Sequence, residues 1–297
     1  MNSPSYTGAF TALVTPFSQG KVDEAQFREL IDRQFELGID GVVPVGTTGE
    51  SPTLETDEHI RVIEIAIEQT ANRGVVMAGT GANSTAEAIA LTQAAEKVGA
   101  KTSLQVTPYY NKPSQEGLFQ HFRAIAESTS MELILYSIPG RCGIPIGVET
   151  TERLAKACPN IVGIKEAGGS VERVSQLRQV LPDDFVILSG DDSLTLPFVS
   201  AGARGVVSVA SNLVPAEVTA LAHAAVEGRS GEAQALHETF YPLFNALLTL
   251  DTNPVPIKTA LELAQVSPAE FRLPLVPMAA QQRSQLETVM QSLQLLA

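Results

Sequence analysis

Tryptophan is absent from this chain of 297 residues, and the chain contains only two cysteines and four histidines. Cys142 and Cys158 are too few and too far apart for a disulfide scaffold or a paired metal site, so we expect reduced thiols. The scattered histidines lack metal-ligand spacings such as HExxH. The sequence therefore predicts neither a bound metal nor a cofactor.

Basic residues are also scarce: 20 Lys and Arg stand against 33 Asp and Glu, for a formal net charge of −13. Nucleic-acid binding needs basic stripes that neutralise phosphates, and no basic run occurs. Apolar stretches end well before the roughly 20 positions that span a bilayer. The amino-terminal MNSPSYTG shows no signal-peptide pattern. We expect a cytoplasmic protein with neither nucleic acid nor membrane as partner.

What the sequence has in quantity is short apolar runs, within an overall 44% hydrophobic content. Amphipathic stretches separate these runs, so the chain alternates between β-type and α-type patterns. Eight runs are candidate strands: Phe10 to Val14, Gly41 to Val45, Val75 to Gly79, Ser103 to Val106, Leu133 to Tyr136, Ile161 to Ile164, Phe185 to Leu188 and Gly205 to Val209.

Strand and helix alternation predicts a parallel sheet covered by helices. Helical patterns include the common face of Phe27, Leu30 and Ile31, and the capping-box pair Ser84 and Glu87. Eight such units predict an α/β fold closed as a TIM (β/α)8 barrel. An open doubly wound sheet is the alternative.

The carboxyl-terminal part has helical patterns only. We expect helices over Glu232 to Leu250 and Pro256 to Gln265, and a further helix starting at Ser267 to Glu270. The predicted organisation is a catalytic barrel over residues 1–228 and an appended helical domain over residues 229–297.

Active sites of α/β barrels lie at the carboxyl ends of the strands. Lys165 follows the sixth apolar run, where burial would lower the pKa of its ammonium and make the amine a carbonyl nucleophile. Schiff-base formation is the first hypothesis. The alternative is a lysine that reaches solvent past the strand end or pairs with Glu166.

Other strand ends carry matching chemistry. The turn GTTGES follows the second strand, where Thr47 and Thr48 could bind a small carboxylate or merely cap a helix. Tyr136 ends the fifth strand and could move protons, or be a buried structural phenol. Arg141 could grip a carboxylate or be a solvated charge. SGDDS and SVASN lack the glycine-rich pattern of a phosphate site.

Four motifs in order, GTTGES, TPYYNKP, ILYSIPGR and GIKEAGG, make the chain closely resemble the lysine-dependent pyruvate aldolase family, in its dihydrodipicolinate synthase branch. The resemblance covers nearly the whole chain. It implies a TIM barrel with carboxyl-terminal helices, and a Lys165 Schiff base with pyruvate. The derived enamine would attack L-aspartate 4-semialdehyde, giving 4-hydroxy-tetrahydrodipicolinate for lysine and diaminopimelate synthesis without metal or cofactor.

The resemblance also implies residue roles. Tyr136, Thr47 and Tyr110 would relay protons, and Thr48 would bind the pyruvate carboxylate. Arg141 would bind the carboxylate of the semialdehyde. The pyruvate site would be lined by Gly190 and Val207.

Assembly and regulation follow from the same resemblance. Tyr110 would reach a neighbouring subunit's active site, which implies a homotetramer built as a dimer of dimers. A cleft that binds L-lysine as inhibitor in many relatives would be formed by Ser51, His59, Asn83, Glu87 and Tyr109.

The chain departs from the family pattern at several positions, which are Pro52 and Thr56 in the cleft, and Ser137, Cys142 and Gly168 near the active site. The first two leave lysine inhibition open, since Thr56 could instead cap a helix, as could Ser84 with Glu87.

Two other functions stay open. An N-acetylneuraminate lyase or related sugar-acid aldolase would use the same lysine and tyrosine with another acceptor, although TPYYNKP and Arg141 favour the synthase. A pyruvate or amino-acid sensor without turnover would have lost a member of the relay, and none is missing.

Overall fold

Eight parallel strands close into a barrel in the computed structural model, which describes residues 6–296. The strands are β1 (Gly8–Ala12), β2 (Gly41–Val43), β3 (Val75–Gly79), β4 (Thr102–Val106), β5 (Glu132–Ser137), β6 (Ile161–Glu166), β7 (Val186–Ser189) and β8 (Gly205–Ser208). Each pairs with its neighbours in sequence, and β1 pairs with both β8 and β2, which closes the ring. The predicted TIM barrel is confirmed, and the open-sheet alternative is wrong.

Within residues 6–296, nine α-helices lie between the strands or just after β8. They are α1 (Glu24–Glu36), α2 (Thr56–Thr70), α3 (Thr85–Lys97), α4 (Gln115–Glu127), α5 (Pro139–Cys142), α6 (Val148–Ala157), α7 (Val171–Val180), α8 (Thr195–Ser200) and α9 (Pro215–Val226). In α1 the predicted face is buried, with Phe27, Leu30 and Ile31 each at most 3% exposed. Burial of each such side chain contributes about 1.5–3 kcal/mol, which holds the helix on the barrel.

Two strand ends differ from their predicted positions in a way that matters for the site. β2 ends at Val43, because Val45 has φ 52° in the left-handed region, where a strand cannot continue. β6 runs on to Glu166, so Lys165 lies inside the strand and pairs in register with Tyr136 on β5. The structure therefore places the Lys165 and Tyr136 side chains on the same level of the barrel.

The helix caps follow the sequence in one place and differ in another. The Ser84 hydroxyl accepts a hydrogen bond from the amide of Glu87 and so caps α3, as predicted. The cap of α2 is Glu55, which forms a capping box with Glu58. Thr56 is already the first helical residue, so the alternative that it caps this helix is wrong.

The barrel interior is filled by inward-facing apolar side chains that include Phe10, Met77, Leu104, Ile134 and Leu188. A second, larger cluster lies between the strands and the outer helices. Gly41 is required by this packing, because a Cβ there would lie 2.8 Å from the Phe10 ring and 2.5 Å from a backbone oxygen. Above this filled interior, the carboxyl ends of the strands border two adjoining cavities.

The carboxyl-terminal segment adds α10 (Ser230–Thr249), α11 (Val255–Leu263) and α12 (Ala280–Ser292). The helix expected to start over residues 267–270 does not form, and this prediction is wrong. Hydrogen bonds to the barrel hold that stretch extended: the Glu270 carboxylate accepts from the amides of Gln19 and Gly20, and its backbone oxygen accepts from Lys258. Tertiary contacts overrode the local helix signal here.

Among residues 6–296, no helix combines the length and the apolar character that crossing a membrane would require. The amino-terminal residues 1–5, part of the segment used above for the signal-peptide prediction, lie outside the described residues. The division at residue 228 stays a prediction.

Candidate active site

Lys165 is buried at the top of the barrel interior, with 6% of its surface exposed. Its Nζ lies 4.3 Å from the centre of the Tyr136 ring. Burial, reinforced by the Arg141 charge, lowers the pKa of Lys165 to about 8, although the Asp192 charge opposes the shift. About a tenth of the amine is then unprotonated at pH 7, far more than for a solvated lysine.

Glu166 points the other way, as the two-residue period of a strand requires. Its carboxylate pairs with Arg173 at 2.7 Å, and its other oxygen accepts from the amide of Gly168 at 2.8 Å. The alternatives in which Lys165 pairs with Glu166 or extends into solvent are therefore wrong.

Asp192 is the acidic group whose charge acts on the Lys165 ammonium, and it was not among the site residues predicted from the sequence. It follows β7 and is 7% exposed. Its carboxylate accepts hydrogen bonds from the Ser208 hydroxyl and, at 3.0 Å each, from the amides of Val209 and Ala210. Burial nevertheless raises the pKa of Asp192 to about 6. At neutral pH it is a fixed negative charge that favours the cationic states of Lys165.

Tyr136 is a buried phenol held between charged and hydroxyl groups. Burial raises its pKa to about 12, while the Arg141 charge and a hydrogen bond with the Thr47 side chain act in the opposite direction. The phenol therefore stays protonated near neutral pH, and Thr47 offers a partner for exchange of its proton. The two hydroxyls are hydrogen-bonded to each other near the Lys165 amine, an arrangement suited to proton transfer.

The GTTGES turn is tightened by its own backbone. The amides of Gly49 and Ser51 donate to the Gly46 carbonyl, and the Glu50 amide donates to Thr47. Gly49 is required, since a Cβ there would lie 3.0 Å from the nitrogen of Val45. In the described residues no backbone carbonyl accepts from the amides of Thr47 or Thr48, which leaves them free for an anion.

A buried ion pair anchors this turn to the carboxyl-terminal helices. Glu50 ends the turn with φ 54°, and its carboxylate accepts from Lys258 on α11 at 2.5 Å. Lys258 is 2% exposed and also donates to the backbone oxygens of Thr15, at 3.0 Å, and Glu270, at 2.5 Å. All three ammonium protons are used, so this second buried lysine is a structural group.

The loop between α10 and α11 reaches the site directly. Asn253 donates from Nδ2 to the Thr48 hydroxyl at 3.0 Å, and its backbone oxygen accepts from Arg141 at 3.1 Å. Phe244, Leu247 and Leu248 of α10 line the same cavity, which has a volume of about 80 Å³. The carboxyl-terminal helices therefore form one wall of the Lys165 cavity.

A second, wider cavity of about 390 Å³ adjoins the first through Thr47, Tyr136 and Arg141. Of the predicted cleft residues, its walls include Ser51, His59, Glu87 and Tyr109, together with the departures Pro52 and Thr56. Asn83 stands behind this wall and donates from its side chain to the backbone oxygen of Tyr109 at 3.2 Å.

Three further predicted site residues lie at different depths. Gly190 lines the Lys165 cavity, and a Cβ there would lie 3.0 Å from Cε of Lys165. Val207 is buried in the barrel interior, and Val209 above it borders the cavity. Tyr110 is 91% exposed and is absent from the residues lining either cavity, so this chain alone does not bring it to Tyr136.

No group of three or more histidine, cysteine or acidic side chains suited to a metal ion occurs in the described part of the chain. The groups that the site does offer are an amine with a lowered pKa, a phenol and hydroxyl relay, free amides and a guanidinium. Together they can form an imine and bind carboxylates.

A family model described as the dihydrodipicolinate synthetase family matches residues 5–293. The chain belongs to this family. It is 50% identical over 286 residues to the 4-hydroxy-tetrahydrodipicolinate synthase of Persephonella marina, covering 96% of this chain and 97% of the relative. The resemblance found in the four motifs is confirmed.

Solved structures agree. The 4-hydroxy-tetrahydrodipicolinate synthase of Methylacidiphilum fumariolicum SolV is 53% identical, with a TM-score of 0.95 over 99% of this chain and 100% of that one. The dihydrodipicolinate synthase of Cyanidioschyzon merolae, solved with lysine bound, is 41% identical, with a TM-score of 0.95 over 98% of this chain and 99% of that one.

The departures from the family pattern have local explanations in two cases. Gly168 lets Glu166 approach, since a Cβ there would lie 2.6 Å from the carboxylate. The Ser137 hydroxyl accepts from the amide of Ile146 at 3.4 Å and so steadies the following loop. Cys142 is buried, which raises its thiol pKa to about 11 and keeps it unreactive.

Of the site groups that the sequence search missed, Asp192 could have been found. It follows a barrel strand, so the strand-end rule applied to lysine and tyrosine covers it equally. Asn253 and Lys258 could not, because they lie in the helical segment, and no sequence pattern says which helical residues face the barrel mouth.

Proposed function

We propose that this chain catalyses the condensation of pyruvate with L-aspartate 4-semialdehyde to 4-hydroxy-tetrahydrodipicolinate, a step of lysine and diaminopimelate biosynthesis. The observation that carries the proposal is Lys165: a buried amine with its pKa lowered to about 8, beside a protonated phenol. The names of the relatives support the choice of substrates.

The first half of the reaction makes a carbon nucleophile. The Lys165 amine attacks the keto carbon of pyruvate, and loss of water from the carbinolamine gives an imine. Tyr136, in exchange with Thr47, delivers the proton that leaves with the hydroxide. Loss of a proton from the methyl group of the imine then gives the enamine. The free amides and hydroxyl of Thr48 bind the pyruvate carboxylate throughout.

The second half makes and closes the new skeleton. The enamine carbon attacks the aldehyde carbon, whose oxygen takes a proton from the relay. The amino group of the former semialdehyde then attacks the imine carbon, closes the ring and releases the Lys165 amine. Arg141, at the junction of the two cavities, binds the semialdehyde carboxylate.

The relay needs Tyr110, and we infer that a second copy of the chain supplies it. Tyr110 is 91% exposed and held at φ 72°, in the left-handed region, which directs an aromatic side chain outward at a conformational cost. An exposed tyrosine of this kind suits an interface. The resemblance extends this inference to a homotetramer built as a dimer of dimers.

We infer further that the wider cavity binds L-lysine as an inhibitor. Glu87 and the acceptor groups around it suit an ammonium, and the cavity touches Thr47, Tyr136 and Arg141, so an occupant would act on the relay. The Cyanidioschyzon relative has lysine bound, which supports the inference. Pro52 and Thr56 change the wall of the wider cavity but leave His59, Glu87 and Tyr109 in place.

A cytoplasmic location of the protein stays a prediction.

Borohydride trapping tests the imine. Incubation with pyruvate and borohydride should add a reduced pyruvate unit to the peptide that contains Lys165. Lys258 is the internal control, because it is equally buried but its ammonium is fully hydrogen-bonded. No adduct on Lys165, or an equal adduct on Lys258, would contradict the mechanism.

A coupled assay tests the acceptor. Product formation from pyruvate and L-aspartate 4-semialdehyde, followed with the next reductase, should exceed cleavage of N-acetylneuraminate by orders of magnitude. The reverse ranking would favour the lyase. Trapping without turnover of either compound would favour the sensor.

A further inference from the structure

Asn253 has one polar atom that the protein itself does not use. Its Nδ2 donates to the Thr48 hydroxyl, and its backbone oxygen accepts from Arg141. Its side-chain oxygen Oδ1 is buried without a hydrogen-bond partner in residues 6–296. Burying an unpaired amide oxygen costs free energy, and native structures rarely leave one without a reason.

The surroundings of this atom define the group it suits. Asn253 lines the Lys165 cavity together with Arg141 and Thr48. Because an amide oxygen only accepts hydrogen bonds, its partner must be a donor. The cavity wall also carries two carboxylates, those of Asp191 and Asp192, which balance the basic side chains on the same wall, so a substrate ammonium meets no net positive charge there. Asp192 already accepts three hydrogen bonds, which leaves it less suited to a direct contact.

We propose that Asn253 selects the acceptor substrate by accepting a hydrogen bond from its α-ammonium group. The proposal rests on the proposed function, in which Arg141 binds the acceptor carboxylate. An α-amino acid carries its ammonium and carboxylate on one carbon, so a carboxylate on Arg141 brings the ammonium to the residue that Arg141 already contacts. Asn253 is thus a specificity residue for aldehydes that are α-amino acids.

A neutral acceptor suits the later chemistry better than a carboxylate. Ring closure needs the amino group as a free amine, so its proton must pass to water before the attack on the imine carbon. A carboxylate at this position would stabilise the ammonium and raise its pKa, whereas an amide oxygen holds the group without a fixed charge. An asparagine at position 253 can therefore bind the ammonium without hindering the later loss of its proton.

The same residue links the two substrate sites. The Nδ2 donor leaves the Thr48 hydroxyl proton free to point at the first substrate's carboxylate, since that hydroxyl oxygen is the acceptor in the Asn253 contact. Binding of the ammonium on Oδ1 would fix the same amide plane. Occupation of the acceptor site should thereby orient Thr48 as well.

The experiment compares L-aspartate 4-semialdehyde with succinate semialdehyde, which lacks only the amino group. The wild-type enzyme should bind L-aspartate 4-semialdehyde more tightly than succinate semialdehyde. The preference is the ratio of the inhibition constant of succinate semialdehyde to the KM of L-aspartate 4-semialdehyde. The Asn253→Ala variant should lose about ten- to hundredfold of this preference, the range of a hydrogen bond to a charged group. At saturating pyruvate, borohydride trapping on Lys165 should persist in the variant. Asn245→Ala, an exposed asparagine of α10, is the matched control.

Asn253→Asp separates recognition from folding. It keeps an acceptor, so the preference for the amino compound should persist or rise, while kcat falls because the ammonium loses its proton less readily. A merely structural asparagine would give equal losses toward both aldehydes in Asn253→Ala, and that result would overturn the inference. Loss of the preference for the amino compound in Asn253→Asp would also overturn the inference, because it would mean that the amide nitrogen faces the cavity. The same holds if Asp191→Asn loses this preference while Asn253→Ala keeps it. Absence of wild-type turnover with intact trapping would instead overturn the proposed function.

Discussion

Replacing Lys258 by methionine should destabilise the protein strongly, although the two side chains have similar lengths. The substitution leaves the Glu50 carboxylate, which has no exposed surface, without its cation. It also removes donors from two backbone oxygens and the ammonium that lies 4.5 Å from the Phe17 ring. Breaking a buried pair by removing one partner costs about 3–5 kcal/mol. That is a large share of the roughly 5–15 kcal/mol that holds a typical domain folded.

The site should respond together with the fold. Glu50 ends the turn that carries Thr47 and Thr48, so an unanchored turn should raise the KM for pyruvate. Urea unfolding followed by far-UV circular dichroism, at fixed protein concentration, measures the stability. Lys156→Met is the matched control, because Lys156 is 71% exposed in a pair with Glu152 and should change stability by no more than about 0.5 kcal/mol.

A second variant isolates the electrostatic cause. In Lys258→Met with Glu50→Gln, the uncompensated charge is gone, so a substantial part of the lost stability should return. If Lys258→Met behaves like Lys156→Met, the pair does not anchor the turn. If the double variant is as unstable as Lys258→Met, lost packing rather than an unpaired charge explains the effect.

Four further predictions concern the chemistry. Tyr136→Phe should lower kcat by about 10²- to 10⁴-fold with an unchanged circular dichroism spectrum, and a near-normal kcat would remove the phenol from the relay. Thr48→Val should raise the pyruvate concentration that half-saturates imine trapping about tenfold, and no change would place the carboxylate elsewhere. Cyanoborohydride trapping should slow about tenfold per pH unit below the pKa of Lys165 near 8, because only the unprotonated amine attacks. In Asp192→Asn this pH profile should move to lower pH, since the carboxylate raises the Lys165 pKa; an unmoved profile would contradict its role.

The sequence was sufficient for the barrel because its signals are local. Each strand is a short apolar run buried on both sides, and amphipathic stretches with a 3.6-residue period separate the strands. Four of these helices, α1, α3, α4 and α7, also begin at a side-chain cap such as Ser84. The helix prediction failed over residues 267–270. There the Glu270 carboxylate binds the amide of Gln19, 251 positions away in the sequence, and no local pattern records such a contact.

Lys165 and Tyr136 could be selected from the sequence because parallel strands bring their carboxyl ends to one edge. Their burial, their register on neighbouring strands and the resulting pKa of about 8 for Lys165 are properties of the closed barrel. The wall of the site that the carboxyl-terminal helices form cannot be predicted from the positions of the strand ends. Asn253 lies in the loop between α10 and α11, and Lys258 lies on α11. The orientation of these helices depends on packing against the barrel, so only the tertiary structure places the two residues beside Thr48 and Glu50. The sequence thus determined the fold and the nucleophile, whereas the folded chain decided what surrounds the nucleophile.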